Sequence, residues 1–222
     1  MQEIDDDIRP LSLIQQQFLQ RIISSKILTN TEARALYASI IESSNINSNE
    51  SFEKCISTIN KSLTKAFKLE IKTISLDGKL YHCVINKKSD KISEKNGCIG
   101  LSNMTPHALA FLKLILSKMF QSKLGSNIDE EDDDEDDNDG SMTEIDLINL
   151  KQELPDQHKK KINLEDAELA IHTFKREKLL VYIRKKSSNE KRLTIGPKVY
   201  MELSDFVKNF IGENDMPQLV IY

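Results

Sequence analysis

The hydrophobic period of the chain changes twice from helical spacing to strand-like alternation, and this order restricts the fold most strongly. Before the first change, apolar residues recur every three or four positions in three segments between residues 11 and 67. Two alternating runs then follow, LEIKTI and LYHCVIN, on either side of the dipeptide Asp77-Gly78. Alternating runs around Asp-Gly predict a β-hairpin with a tight turn.

The second half of the chain repeats this order of elements. An apolar helix is predicted in MTPHALAFLKLILSKMFQS, where Thr105 is placed to cap the helix and Pro106 to occupy its first turn. A short helix in MTEIDLINLKQEL and a capped helix from Asn163 come next. Two short strands at 179–183 and 191–195 and one helix from Pro197 follow. Three helices followed by a hairpin are the elements of a winged helix. The sequence therefore predicts a mostly helical α+β protein with two tandem winged-helix domains.

An acidic run divides the second predicted domain. Ten of the eleven residues from Asp129 to Asp139 are acidic, and such a segment has too little apolar surface to offset the entropy of ordering. We predict that it is disordered. The predicted organisation is a first winged-helix domain at 10–88, a linker at 89–103, a second winged-helix domain at 104–212 with the acidic insertion at 125–141, and a tail at 213–222.

Net charge is misleading for this chain. The formal net charge is −4, but without the ten negative charges of the acidic run the remainder carries +6. No apolar run approaches the about 20 residues that span a bilayer, and the acidic start is unlike a signal peptide. We therefore expect an intracellular protein with no membrane partner. The three cysteines have no CxxC spacing, which argues against a disulfide framework or a zinc site.

Positive charge is concentrated around the second hairpin. Between Lys175 and Arg192 there are eight basic residues and two acidic ones. Clustered lysine and arginine on a protruding wing suit contacts with phosphates. The alternative is that these charges lie in a solvent-exposed hairpin turn that binds no ligand. The helices before each hairpin, NESFEKCISTINKSL and NLEDAELAIHTF, carry acidic residues and few side chains suited to base edges, so any DNA contact should be nonspecific. The candidate DNA-contact residues are Arg184, Lys185, Lys186, Lys191 and Arg192.

Nothing in the sequence argues for an enzyme. The four histidines, His82, His107, His158 and His172, fall in four different elements and have no partner at metal-ligand spacing. The chain contains no GxGxxG, P-loop, GxSxG or HExxH motif. We therefore assign no catalytic residue, no metal ligand and no cofactor.

Four stretches, in this order, resemble a known family. QQQFLQRIISSKILTNTEARALY is similar to its opening helices, and FEKCISTINKSLTKAFKLEIKTI with DGKLYHCVIN is similar to its helix-then-hairpin. TPHALAFLKLILSKM is similar to its linker helix, and LEDAELAIHTFKREKLLVYI with RLTIGPKVYMELSDFV to its second winged helix. The family is the non-SMC element one subunit of the SMC five/six chromosome-maintenance complex.

The resemblance implies partners and a cellular role. A protein of this family pairs with a MAGE-type subunit, non-SMC element three, and the pair sits on the kleisin subunit, non-SMC element four. The implied role is DNA double-strand-break repair by homologous recombination, on the chromosome in the nucleus. Small winged-helix domains cannot bury every apolar residue of their helices, so we expect some of these apolar residues to contact a partner. The candidates are Leu13, Phe18 and Ile22.

The chain departs from the family in one respect. In the family, the helix matching residues 199–211 runs into a RING-like zinc domain with ubiquitin-ligase activity, whereas here no cysteine follows Cys98. Neither a zinc ligand nor a ligase residue can be assigned, and zinc is expected only if such a domain followed. Two other functions stay open: a winged-helix transcription or polymerase-associated DNA-binding factor, and a RING-type ubiquitin ligase whose zinc domain is missing from this sequence.

Overall fold

The computed structural model describes residues 10–44, 49–86, 104–125, 140–184 and 189–222. These residues form two compact units, the first from the described residues before position 99 together with 217–222, the second from those between 100 and 216. No helix in these ranges is long and apolar enough to cross a membrane.

The described chain alternates helices with short antiparallel strands. The helices are α1 (Leu13–Ser25), α2 (Asn30–Ser44), α3 (Phe52–Phe67), α4 (Pro106–Gly125), α5 (Glu144–Asn149), α6 (Asp156–Lys159), α7 (Leu164–Arg176), α8 (Pro197–Glu202) and α9 (Ser204–Ile211), with a 3-10 turn at Leu150–Glu153. The strands are β1 (Leu28–Thr29), β2 (Leu69–Leu76), β3 (Lys79–Asn86), β4 (Leu180–Arg184), β5 (Lys191–Ile195) and β6 (Gln218–Val220).

The first unit is a winged helix with a four-stranded sheet in the order β1-β3-β2-β6. Strands β2 and β3 pair in register from Leu69 opposite Asn86 to Leu76 opposite Lys79. The two turn residues, Asp77 and Gly78, have φ angles of 50° and 70°, which two-residue hairpin turns of the I′ type require. The predicted hairpin is therefore confirmed.

Aromatic side chains organise the core of the first unit. Phe18 of α1 is fully buried and meets the rings of Tyr37 and Phe52 edge-on, at centroid distances of 5.6 and 5.8 Å. Such edge-to-face contacts are the favoured arrangement of aromatic pairs. The apolar stripe of α3, which includes Ile56 and Ile59, is buried against this cluster. The helical spacing of the apolar residues thus corresponds to one shared core.

The second unit is also a winged helix, with β4 and β5 as its two-stranded hairpin. Two predicted helix starts are confirmed. The hydroxyl of Thr105 accepts a hydrogen bond from the Ala108 N–H at the start of α4, and Asn163 forms a capping box with Asp166 at the start of α7. An isolated β-bridge joins Met142 to Leu193 and so adds a third short segment to the hairpin.

The helix predicted from Pro197 is instead two helices. Leu203, with φ −116° and ψ 31°, leaves the helical region and separates α8 from α9. On the two sides of this break Val199 and Val207 are both fully buried. Each short helix therefore directs its own apolar residue into the core. The sequence predicts a single straight helix that buries both residues.

The α+β fold class with two winged helices is confirmed. Strand β6 lies within 213–222, the stretch predicted to be a tail, and it pairs with β2 through Thr73 opposite Val220. The predicted linker at 89–103 and residues 126–139 of the predicted acidic insertion lie outside the described residues.

Candidate functional site

The second wing carries the candidate DNA-contact residues. Strands β4 and β5 are paired from Leu180 opposite Ile195 to Arg184 opposite Lys191, so the basic end of the hairpin is the end at which the connecting loop joins the two strands. Lys185 and Lys186 lie outside the described residues. Arg184 and Lys191 are exposed and directly opposite each other.

The wing does not present all of its cations on one face. Side chains alternate between the faces of a strand, so Arg192, opposite Ile183, lies on the face away from Arg184 and Lys191. Its side chain is 18% exposed, and its Nε lies 3.9 Å from a carboxylate oxygen of Glu190. The structure therefore groups Arg184 with Lys191 and separates Arg192 from them.

A polar cluster attaches the wing to two helices of the second unit. The ammonium group of Lys175 in α7 donates to Glu144 of α5 at 2.6 Å and to the Tyr182 hydroxyl of β4 at 3.1 Å. The Tyr182 hydroxyl in turn donates to the other Glu144 oxygen at 3.1 Å. On the wing itself, the Lys191 ammonium lies 3.6 Å from the centroid of the Tyr182 ring. Three elements thus hold one exposed tyrosine in a defined position.

The protonation states of this cluster follow from its contacts. The hydrogen bond from Lys175 is the largest influence that lowers the pKa of Glu144 below its usual value. Burial lowers the pKa of Lys175, but hydrogen bonds to Glu144 and Tyr182 outweigh it, so that this pKa is raised overall. Both groups are therefore charged at neutral pH, and the positive charge of Lys175 is balanced within the cluster.

A shallow groove, here called the α7–β4 groove, runs beside this cluster. It lies between the C-terminal turns of α7 and the start of β4, and its lining includes His172, Lys175, Arg176, Lys178, Val181 and Tyr182. Arg176 and Lys178 are exposed. Both are among the eight basic residues around the hairpin, but neither is among the DNA-contact residues predicted from the sequence.

Backbone packing determines where this groove begins. Lys178 adopts a left-handed conformation, with φ 60°, that ends α7 and turns the chain into β4. The N–H of Gly196 donates to the Leu179 carbonyl at 2.8 Å. A Cβ at position 196 would lie 2.2 Å from the Lys178 carbonyl oxygen, so only glycine fits this approach. The turn that presents Lys178 is therefore fixed by the first residue after β5.

The candidate partner residues lie in two different environments. Phe18 and Ile22 are fully buried in the core of the first unit, whereas Leu13, at the start of α1, is 54% exposed. Of the three, only Leu13 offers a surface to a partner in this conformation. Two other large apolar side chains of the described helices in this unit are also well exposed, Phe67 at 69% and Ile23 at 44%.

Three histidines and two cysteines of the described residues are at least partly buried. His82 is fully buried, with Nδ1 2.9 Å from the Thr73 hydroxyl and Nε2 3.3 Å from the Asn30 side-chain oxygen. His107 and His158 face each other, with their Nδ1 atoms 2.9 Å apart. Cys55 and Cys83 are buried thiols. Among the described residues, no group of three or more His, Cys, Asp or Glu side chains could hold a metal ion.

One family model matches most of the chain. The family model described as Nse1 non-SMC component of SMC5-6 complex matches residues 15–203, which reach into both units. No curated protein matches the chain. A chain in the solved structure titled "Nse1-Nse3-Nse4 complex" matches with a TM-score of 0.63 and 19% identity, over 91% of this chain and 76% of that chain. At this identity the likeness supports the fold.

Proposed function

Because the chain belongs to the family of Nse1 non-SMC components of the SMC5-6 complex, we propose that it is a noncatalytic subunit that acts through protein–protein contacts. Its direct partner is a MAGE-type subunit, non-SMC element three. Through this pair it reaches the kleisin, non-SMC element four. The observation that carries the proposal is a family match that extends from α1 of the first unit to the end of α8 in the second.

The fold and its exposed apolar residues support this assignment. The structural neighbour was solved in a complex whose title names Nse3 and Nse4 beside Nse1. In this chain the exposed Leu13, at the start of α1, suits a hydrophobic contact with a partner subunit. We therefore propose that the start of α1 contributes to the partner interface, with Phe18 and Ile22 supporting it from the core.

The proposed cellular role is DNA double-strand-break repair by homologous recombination, on the chromosome in the nucleus. We propose that the second wing adds a weak, nonspecific DNA contact. The exposed pair Arg184 and Lys191 supports such a contact, since cations on a protruding hairpin reach phosphates without reading bases. The acidic first turn of α7, which contains Glu165 and Asp166, disfavours insertion of this helix into a DNA groove.

Ubiquitin-ligase activity is not proposed for this polypeptide. The sequence contains three cysteines, and the two described ones, Cys55 and Cys83, are fully buried in the first unit. Burial raises the pKa of the Cys55 thiol to about 12, which disfavours the thiolate that binds zinc. A ligase function would require zinc ligands from a further segment.

An affinity purification from nuclear extract tests the assignment. We expect the tagged chain to recover a MAGE-type protein, a kleisin and SMC subunits, identified by mass spectrometry. We expect Leu13→Asp to reduce this recovery, and Ile145→Asp, a matched change at an apolar residue 71% exposed in the second unit, to leave it intact. Recovery of promoter-bound or polymerase factors without these subunits would favour the transcription-factor alternative, as would selection of one DNA sequence from a random pool.

A further inference from the structure

We infer that the α7–β4 groove, together with the adjoining face of the second wing, forms one continuous site for the sugar–phosphate backbone of duplex DNA. This inference rests on the proposed function, which includes a nonspecific DNA contact, and it assigns the surface that makes the contact. It adds Arg176 and Lys178 to the wing residues and removes Arg192.

Exposed cations from α7 and from the wing lie on this surface. Arg176 and Lys178 line the groove and are exposed, with the Nε of Arg176 3.6 Å from a carboxylate oxygen of Glu177. Arg184 and Lys191 are exposed on the strand face that carries Tyr182. Tyr182 lines the groove and contacts Lys191, so it connects the two pairs. Four exposed cations therefore follow one surface. A row of point charges of this kind suits successive phosphates of a DNA strand.

This surface lies at the opposite end of α7 from the acidic first turn of that helix. Glu165 and Asp166 lie in the first turn of the helix, and Arg176 is its last residue. At 1.5 Å per residue, ten residues separate Asp166 from Arg176 by about 15 Å along the helix axis. This distance exceeds the Debye length of about 8 Å at physiological salt. The acidic turn thus weakens the attraction of the groove for phosphates only slightly.

The groove is better suited to duplex DNA than to a single strand. Proteins that hold single strands stack bases on exposed aromatic rings. Here the ammonium of Lys191 lies 3.6 Å from the centroid of the Tyr182 ring, and the hydroxyl is bonded to Glu144. Lys191 therefore covers one face of the ring, which reduces the surface that Tyr182 offers for stacking with a base. The combination of charge with a reduced stacking surface favours the regular phosphate spacing of a duplex and makes binding independent of sequence.

The polar cluster has a positioning role in this site. The Lys175 ammonium donates hydrogen bonds to both Glu144 and Tyr182, so its positive charge is neutralised within the protein. It does not contact DNA in this assignment. Instead it fixes Tyr182, and with it the position of Lys191, relative to α7. The site therefore joins cations from a helix end and from a hairpin at a set distance.

The test measures DNA binding by the full chain with substitutions on this surface. Binding of a fluorescently labelled duplex is followed by anisotropy across a series of salt concentrations. The groove variant Arg176→Glu with Lys178→Glu is compared with Lys160→Glu plus Lys208→Glu, two exposed lysines of the same unit outside the groove. Both double variants change the net charge by the same amount. A neutral variant, Arg176→Gln with Lys178→Gln, separates lost contacts from new repulsion.

The expected result is a change in salt dependence. Each phosphate contact contributes about −0.9 to the slope of log K against log salt, so loss of two contacts in either groove variant should reduce the magnitude of this slope by about 2. The control variant should keep the wild-type slope. All variants should retain the wild-type circular dichroism spectrum and their assembly with the partner subunits.

Several outcomes would overturn the inference. These are an equal loss in groove and control variants, no DNA binding by the wild-type chain at low salt, and groove-dependent binding of single strands in preference to duplex. Any of them could occur while partner assembly is normal, which would leave the subunit function standing. Failure of the wild-type chain to assemble would instead contradict the proposed function, whatever the groove binds.

Discussion

Acidification should destabilise the first unit through one buried histidine, His82. Burial is the main cause that lowers the pKa of His82, from 6.5 to about 4, and the nearby Arg34 guanidinium adds to the effect. In the neutral ring Nδ1 can accept from the Thr73 hydroxyl while Nε2 donates to Asn30. Tyr222 stacks on the imidazole, at a centroid distance of 6.0 Å. A second proton on the ring would therefore place a positive charge in a buried site close to the Arg34 guanidinium.

The size and sign of the effect follow from linkage. The unfolded chain binds the proton with a pKa near 6.5 and the folded unit only near 4, so the unfolded state gains protons first as pH falls. The contribution of His82 to the free energy of unfolding is complete above pH 6.5. Each pKa unit corresponds to 1.36 kcal/mol, so the loss should reach about 2 kcal/mol at pH 5 and about 3 kcal/mol at pH 4.

Two measurements check this prediction. The NMR titration of the His82 ring should give an apparent pKa near 4. Urea unfolding of the first unit should show a steeper loss of stability below pH 6.5 in the wild type than in His82→Gln, which cannot titrate there. Subtracting the two curves removes the contribution of the carboxylates. A ring pKa near 6.5, or parallel curves for the two proteins, would refute the reasoning.

Three further predictions concern packing and charge. Gly196→Ala should destabilise the second unit by about 1–3 kcal/mol, because its Cβ would meet a carbonyl oxygen at 2.2 Å; an unchanged melting temperature would contradict this. Phe18→Ala should cost the first unit about 3–5 kcal/mol in urea unfolding, as expected for a core residue rather than a partner contact. Charge reversal at Arg184, Lys185 and Lys186 in the second wing should weaken DNA binding equally for all sequences in anisotropy assays. It should leave partner binding intact.

Local signals in the sequence were sufficient for most elements. Asp77-Gly78 specifies its turn because two consecutive positive φ angles suit these residues. Asn163 and Asp166 specify a helix start because their reciprocal hydrogen bonds involve only neighbours in the chain. The order of helices and hairpins follows from such short-range preferences.

Short sequence patterns did not predict contacts between residues that are distant in the chain. Strand β6 forms only because its backbone pairs with β2, more than a hundred residues earlier in the chain. The burial of Phe18 depends on Tyr37 and Phe52, and helical spacing identifies an apolar face without saying whether a core or a partner covers it. Likewise, a count of basic residues made the second wing a candidate for DNA contact, but the β4–β5 register decides that Arg192 faces away from Lys191.

Reconstitution from purified subunits tests the central claim most directly. The chain would be mixed with a MAGE-type non-SMC element three and a kleisin non-SMC element four, and the mass of the product measured by light scattering after size-exclusion chromatography. We predict a stable complex with one copy of each subunit, and loss of this chain from it with Leu13→Asp but not with Ile145→Asp. Elution of the wild-type chain as a separate species, with the other two subunits assembled without it, would contradict the account.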